Sequence, residues 1–162
     1  MQALIGALPW LLISVPLAVI VHELGHAAFG RLAGLQIKRI AFGFGRTLAK
    51  FQIGKTELQL NAAIFSGGYC QPYPPLVWAP WREALFSVGG LLANAIAAIA
   101  LCLVLWHSEL SEFAEFTVIL FASPQLALAI GTAIPRKTAR GGTDGYHLLG
   151  LYWGKSRLKA GP

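Results

Sequence analysis

The sequence predicts a mainly α-helical integral membrane protein, with three spanning helices, a short β-hairpin element and a partial C-terminal helix. Three observations carry this prediction. Hydrophobic residues make up 56% of the 162 and charged residues only 12%, roughly half the charged share of a typical soluble domain. Uncharged or nearly uncharged apolar runs begin at Leu4, Ala84 and Phe116, each long enough to approach the thickness of a bilayer core. The charges lie in the gaps between these runs, and the gaps alternate in sign. The length suits a single domain, taken as residues 1–162.

The first run, Leu4 to Val21, has no basic segment before it and no clear small-residue cleavage site after it. It therefore reads as a span rather than a signal peptide. It continues through His22-Glu23-Leu24-Gly25-His26 and Ala27-Ala28-Phe29, with Gly34 as its stop signal. Pro9 and Pro16 are of a kind that membrane helices tolerate. From Gln36 to Leu60 the pattern changes. Phe51-Gln52-Ile53 and Glu57-Leu58-Gln59-Leu60 alternate with period two around Gly54-Lys55, which predicts one or two β-hairpins.

Gly67-Gly68 and the cluster Pro72, Pro74, Pro75 and Pro80 predict an irregular loop. The second span, Ala84 to Trp106, carries Gly89, Gly90, Ala93 and Ala97, small residues that allow close helix approach. The third, Phe116 to Ile134, is interrupted by Ser123-Pro124-Gln125. Tyr146 to Trp153 is too short to span, and is predicted to be a partial or interfacial helix.

Arg31, Lys38, Arg39, Arg46, Lys50, Lys55 and Arg82 fall between the first two spans, against only Glu57 and Glu83. Glu109, Glu112 and Glu115 lie between the second and third with no Lys or Arg, and Arg136, Lys137 and Arg140 follow the third. The positive-inside rule then places the hairpin region and Asp144 on the cytoplasmic side of the plasma membrane, with the N-terminus outside. The net charge of +6 is topological in this reading. Nucleic acid is excluded as a partner, because the basic residues lack the aromatic interleaving of a single-strand groove. Cys70 and Cys102 have neither disulfide-framework nor zinc-site spacing.

His22-Glu23-Leu24-Gly25-His26 is an H-E-x-x-H sequence in a helical context. Imidazoles at i and i+4 share one face and can hold one Zn²⁺, with Glu23 beside them as general base for its water. A catalytic zinc site usually has a third protein ligand. His107, Glu109, Glu112 and Glu115 fall at the opposite membrane face. Asp144 and His147 fall on the correct side, and the residues alone leave both open.

In chain order, the H-E-x-x-H sequence, Phe65-Ser66-Gly67-Gly68-Tyr69, Gly90-Leu91-Leu92-Ala93-Asn94 and Thr143-Asp144-Gly145 resemble the site-2 protease family of intramembrane metalloproteases. The resemblance covers nearly the whole chain, which looks like little more than the family's three-helix catalytic core. It implies His22, His26 and Asp144 as zinc ligands, Glu23 as general base, and Asn94 near the active site, assisting substrate or oxyanion binding. Leu91 stands where the family has Pro. Thr132-Ala133-Ile134-Pro135 stands where it often has Asn-x-x-Pro, and the segment from Pro135 to Asp144 is longer than in the commonest members.

The activity implied is zinc-dependent hydrolysis of a peptide bond in or near a substrate's membrane segment. The expected partners are the bilayer and a membrane-protein substrate, with homo- or hetero-oligomers allowed. The competing reading is a non-proteolytic zinc-binding membrane scaffold, for which Glu23 would be unnecessary.

Overall fold

The computed structural model describes residues 2–74, 79–138 and 141–153, with residues 2–7 as backbone only. Pro75 of the proline cluster and Arg140 of the third basic gap lie outside these residues. The chain folds as α1 (Gln2–Leu32), β1 (Ile37–Ile53), β2 (Thr56–Pro72), α2 (Pro80–His107), α3 (Glu112–Ala133), β3 (Lys137–Thr138), β4 (Gly141–Gly142) and α4 (Asp144–Tyr152).

Among the described residues, three helices are long and apolar enough to cross a membrane: Leu8–Leu32 within α1, and the whole of α2 and α3. Their outer faces are apolar and open. Leu12, Ile13, Ile96, Ile99, Ile119 and Ile130 are each more than half exposed. Apolar side chains all around a helix suit hydrocarbon and not water. The interior holds polar groups instead: Ser14, His22, Glu23, His26, Asn94 and Gln125 are all buried.

Gly34, at φ 77°, ends α1 in the left-handed conformation that favours glycine at a helix C-terminus. Pro9 and Pro16 sit inside α1, and Pro124 inside α3. The predicted interruption at Ser123-Pro124-Gln125 is therefore incorrect: one helix runs through it.

The hairpin is longer than predicted. Its turn falls at Gly54-Lys55, but β2 continues through Gly67-Gly68 to Pro72. The irregular loop assigned to Gly67-Gly68 is thus corrected to strand. Glycine marks a close approach here, since a Cβ on Gly68 would lie 2.5 Å from the Ala41 carbonyl oxygen. The ladder bends and shifts register between Phe42 and Ala49. Asn61 holds that bend through its bonds to Thr47 and the Gly43 carbonyl. After the bend, β2 returns along β1, so Ile40 pairs with both Leu58 and Cys70.

A small apolar cluster of Ala27, Ala33, Leu35, Ile37, Ile40 and Phe86 joins the end of α1, the start of β1 and the start of α2. Arg31 donates to the Thr56 hydroxyl, which donates to the Ile37 carbonyl. The hairpin is thereby fixed to the end of α1 that carries the two histidines.

α1 and α2 meet backbone to backbone. A Cβ on Gly25 would lie 2.5 Å from Ala93 Cβ and from the Gly89 carbonyl oxygen. Gly25, inside the H-E-x-x-H sequence, and Gly89 therefore set the helix spacing, as expected of small residues where lipid gives no drive for association.

Candidate metal centre

Histidines one turn apart on α1 project toward α2, where Gly90 leaves room for both rings. A Cβ at Gly90 would lie 2.5 Å from His26 Nε2 and 2.9 Å from His22 Nε2. The two Nε2 atoms face one another at 3.2 Å. Asp144, the first residue of α4, brings its carboxylate oxygens to 3.2 Å from His22 Nε2 and 3.3 Å from His26 Nε2. Among the described residues, this is the group of three metal-ligating side chains that converges.

Hydrogen bonds on the far side of each ring settle its tautomer. Asn94 donates its amide N–H to the Ala18 carbonyl at 3.0 Å and to Gln125 Oε1. Its Oδ1 therefore points at His22 Nδ1, at 2.7 Å, and can only accept. His22 carries its proton on Nδ1 and leaves a lone pair on Nε2. His26 Nδ1 likewise donates to the Phe86 carbonyl at 2.8 Å. Two imidazole lone pairs and a carboxylate thus meet in a buried space, where they cannot hydrogen-bond to one another. A cation is the partner that such a donor set fits, and a metal-binding histidine commonly has its other ring nitrogen held in this way.

Burial favours the neutral form of the Asp144 carboxyl. The contacts of the carboxylate with the His22 and His26 imidazoles outweigh it and keep the group well below the usual carboxylate range.

The long Pro135–Asp144 segment still returns Asp144 to the site. It forms the β3–β4 hairpin, and Thr143 closes it by donating to the Ile134 carbonyl at 2.7 Å and accepting from the Arg136 N–H. Thr143 also caps α4, accepting from the Tyr146 N–H. Gly145 is required because any Cβ there would overlap the Ala133 carbonyl oxygen at the end of α3.

Glu23 is buried beside the histidines, and its Oε2 has no hydrogen-bond partner. It opens on a cavity of about 760 Å³ whose walls include His22, His26, Asp144, Gly68, Thr132 and His147. His147, set aside by the resemblance, shares this wall one helical turn after Asp144. Asn94 does not line the cavity; it is fully buried behind His22.

Sequence reasoning missed Gln125 as part of this arrangement. Its signal was an amide in an apolar helix, where polar groups are costly and tend to be functional. Cys70 lines the cavity but stands outside the converging group. Burial, with the Glu23 charge added, pushes its thiol pKa up, which makes it a poor ligand.

A sequence profile of peptidase family M50 matches residues 10–153. The chain belongs to peptidase family M50. This is the site-2 protease family whose motifs the sequence resembles, and the M50 assignment makes the chain a metalloprotease homologue. A protein named as a candidate zinc metalloprotease in Chlamydia trachomatis is 26% identical over 125 residues, covering 62% of this chain and 20% of the relative. A similarly named protein of Synechocystis is 49% identical over 51 residues, which is 32% of this chain and 14% of the relative. Zinc metalloprotease Rip1 of Mycobacterium tuberculosis is 30% identical over 107 residues, 59% of this chain and 26% of the relative. The M50 chain thus corresponds to about a quarter or less of the length of each of these relatives.

Proposed function

We propose that this M50 chain is an intramembrane zinc endopeptidase that cleaves membrane-protein substrates in or near a membrane-spanning segment. The observation carrying the reading is the meeting of His22 Nε2, His26 Nε2 and the Asp144 carboxylate beside a buried Glu23 oxygen that has no partner. Zinc held by the three would supply a water that is nucleophilic at neutral pH and an electrophile for the scissile carbonyl.

The remaining work belongs to the chain. Glu23 Oε2 takes the proton of the attacking water and delivers it to the leaving nitrogen. Asn94 acts through His22, fixing its tautomer and aim. A helical substrate must unwind, because its amides are otherwise bonded internally. Ile64 to Gly67 of β2 stand outside the β1–β2 register, and Ser66 and Gly67 line the cavity with Glu23, so this stretch is where an extended substrate adds as a strand.

The test is cleavage of a single-span substrate by purified protein in bilayers. Activity should disappear with a zinc chelator and return on adding zinc. Full activity in chelator at zero measured zinc would rule the reading out.

The buried Asn94 yields a graded expectation. Asn94→Ala removes the acceptor for His22 Nδ1 and should weaken zinc binding about 10–100-fold, the usual cost of losing such a partner. Gln125→Leu frees one Asn94 N–H but leaves its bond to Ala18, so its effect should be smaller and in the same direction. Competition with a fluorescent zinc chelator measures both. Gln125→Leu weakening zinc more than Asn94→Ala would contradict the order.

For the membrane orientation, the N-terminus and the Glu109–Glu115 region share the outer side in this proposal, opposite the hairpin. The sign of the charges in the gaps supports it. Impermeant thiol labelling of a single-cysteine variant at Glu112 should succeed from outside intact cells. Labelling from the cytoplasmic side alone would reverse the orientation.

A further inference from the structure

A second cavity, of about 610 Å³, opens between α1, α3 and the Phe65–Gly67 segment of β2. It adjoins the metal cavity, since Val19, Ser66, Gly67 and Leu128 line both. Building on the peptidase reading, we propose that it is the subsite that receives a large aliphatic or aromatic side chain of the substrate, flanking the scissile bond.

Position is the first argument. Val19 and Val15 stand one and two turns before Glu23 on α1, about 6 and 12 Å along the helix axis. On α3, Leu128 faces both cavities, while Ala127, Pro124 and Ser123 face the second. The groove therefore begins at the metal cavity and runs one to two turns toward the opposite end of α1.

The strand supplies the second argument. A substrate extended along Ile64–Gly67 places alternate side chains on one face, about 6.8 Å apart. A residue next to the scissile bond, or two away, then falls over the groove.

Wall chemistry selects the occupant. Val15, Val19, Leu128 and Phe65 make the walls apolar, and Ala18, Ala127 and Gly67 keep the space between them open. Among the described residues, the polar side chains lining the groove are the hydroxyls of Ser66 and Ser123, and none is charged. An apolar side chain gains by entering such a pocket, whereas a charged one would lose its solvation without a partner.

Ala127 and Ser123 are exposed on α3, so enlarging either one fills the groove without disturbing the packed interior. The probe is a single-span peptide whose cleavage site by the wild-type protein has been mapped, made with Leu or Ala at each of the two positions on either side of the scissile bond. At one of these positions wild type should favour Leu over Ala by about tenfold or more in kcat/KM, as expected where an apolar pocket discriminates size. Ala127→Phe and Ser123→Phe should each lower that Leu-to-Ala ratio at least tenfold, with the change in KM and at unaltered zinc content.

A second arm needs no catalysis. In a Glu23→Gln background, a single-span peptide carrying a photo-reactive leucine analogue should crosslink to the groove wall on α3, and much less when Ala127→Phe is added. Equal ratios in wild type and both Phe variants, or crosslinks to lipid alone, would overturn the subsite. The same groove crosslink from single-span peptides that zinc-loaded wild type never cleaves would leave the subsite standing and refute the peptidase reading.

Discussion

Replacing Glu23 with Gln should lower cleavage by at least about two orders of magnitude, the typical contribution of general acid–base catalysis, while zinc stays bound. Gln keeps the size of the side chain and its hydrogen-bonding capacity but cannot take up a proton at neutral pH. Glu23 is not one of the three side chains that converge, so its carboxylate is not needed to hold a metal. His26→Ala makes the contrast, because it deletes a lone pair from the converging set and should lose zinc together with activity. The measurements are zinc content by elemental analysis and initial rates on a verified membrane substrate. Wild-type rates from Glu23→Gln would refute the mechanism even with zinc present; no change in any cellular output from either variant would favour the scaffold reading.

Gly90→Ala should be nearly as damaging, for a different reason. The added methyl would sit 2.5 Å from His26 Nε2 and 2.8 Å from His22 Cε1, inside contact distance. Moving α2 back would open the close backbone packing at Gly25 and Gly89. The rings cannot turn away freely, because their Nδ1 atoms are bonded to Asn94 and to the Phe86 carbonyl. The imidazoles must shift, and zinc affinity should fall by about 10–100-fold, as when outer partners of a metal site are disturbed. Ala is the better helix former by about 1 kcal/mol, so the fold itself should not be weakened through propensity. Unchanged zinc affinity in a folded Gly90→Ala protein would contradict the geometry described.

How far the sequence alone reaches differs from element to element. The three long helices were legible because uncharged apolar runs leave few alternatives, and Gly34 ended the first where a left-handed residue was needed. The hairpin turn at Gly54-Lys55 was legible from alternation. Its extent was not, because Gly67-Gly68 reads locally as a turn and becomes strand only when backbone must pass close to Ala41 and Glu23.

His22, Glu23 and His26 stood out because helical spacing alone puts the two imidazoles on one face. The convergence of Asp144 on the two histidines needed the family resemblance, since nothing local distinguishes this Asp-Gly from an ordinary turn. The insertion before it was unreadable, because its closure depends on Thr143 reaching back to Ile134, just after α3. Gln125 was hidden by its neighbours. Next to Pro124 it read as part of a helix interruption, whereas its amide oxygen accepts from Asn94 across the bundle.

X-ray absorption at the zinc edge of the purified, zinc-loaded protein tests the central claim most directly. The account predicts one zinc per chain with only nitrogen and oxygen neighbours, at about 2.0–2.2 Å, including imidazole scattering from two histidines, and loss of that signal in His26→Ala. A sulfur neighbour at about 2.3 Å, or a zinc signal unchanged by removing His26, would contradict it.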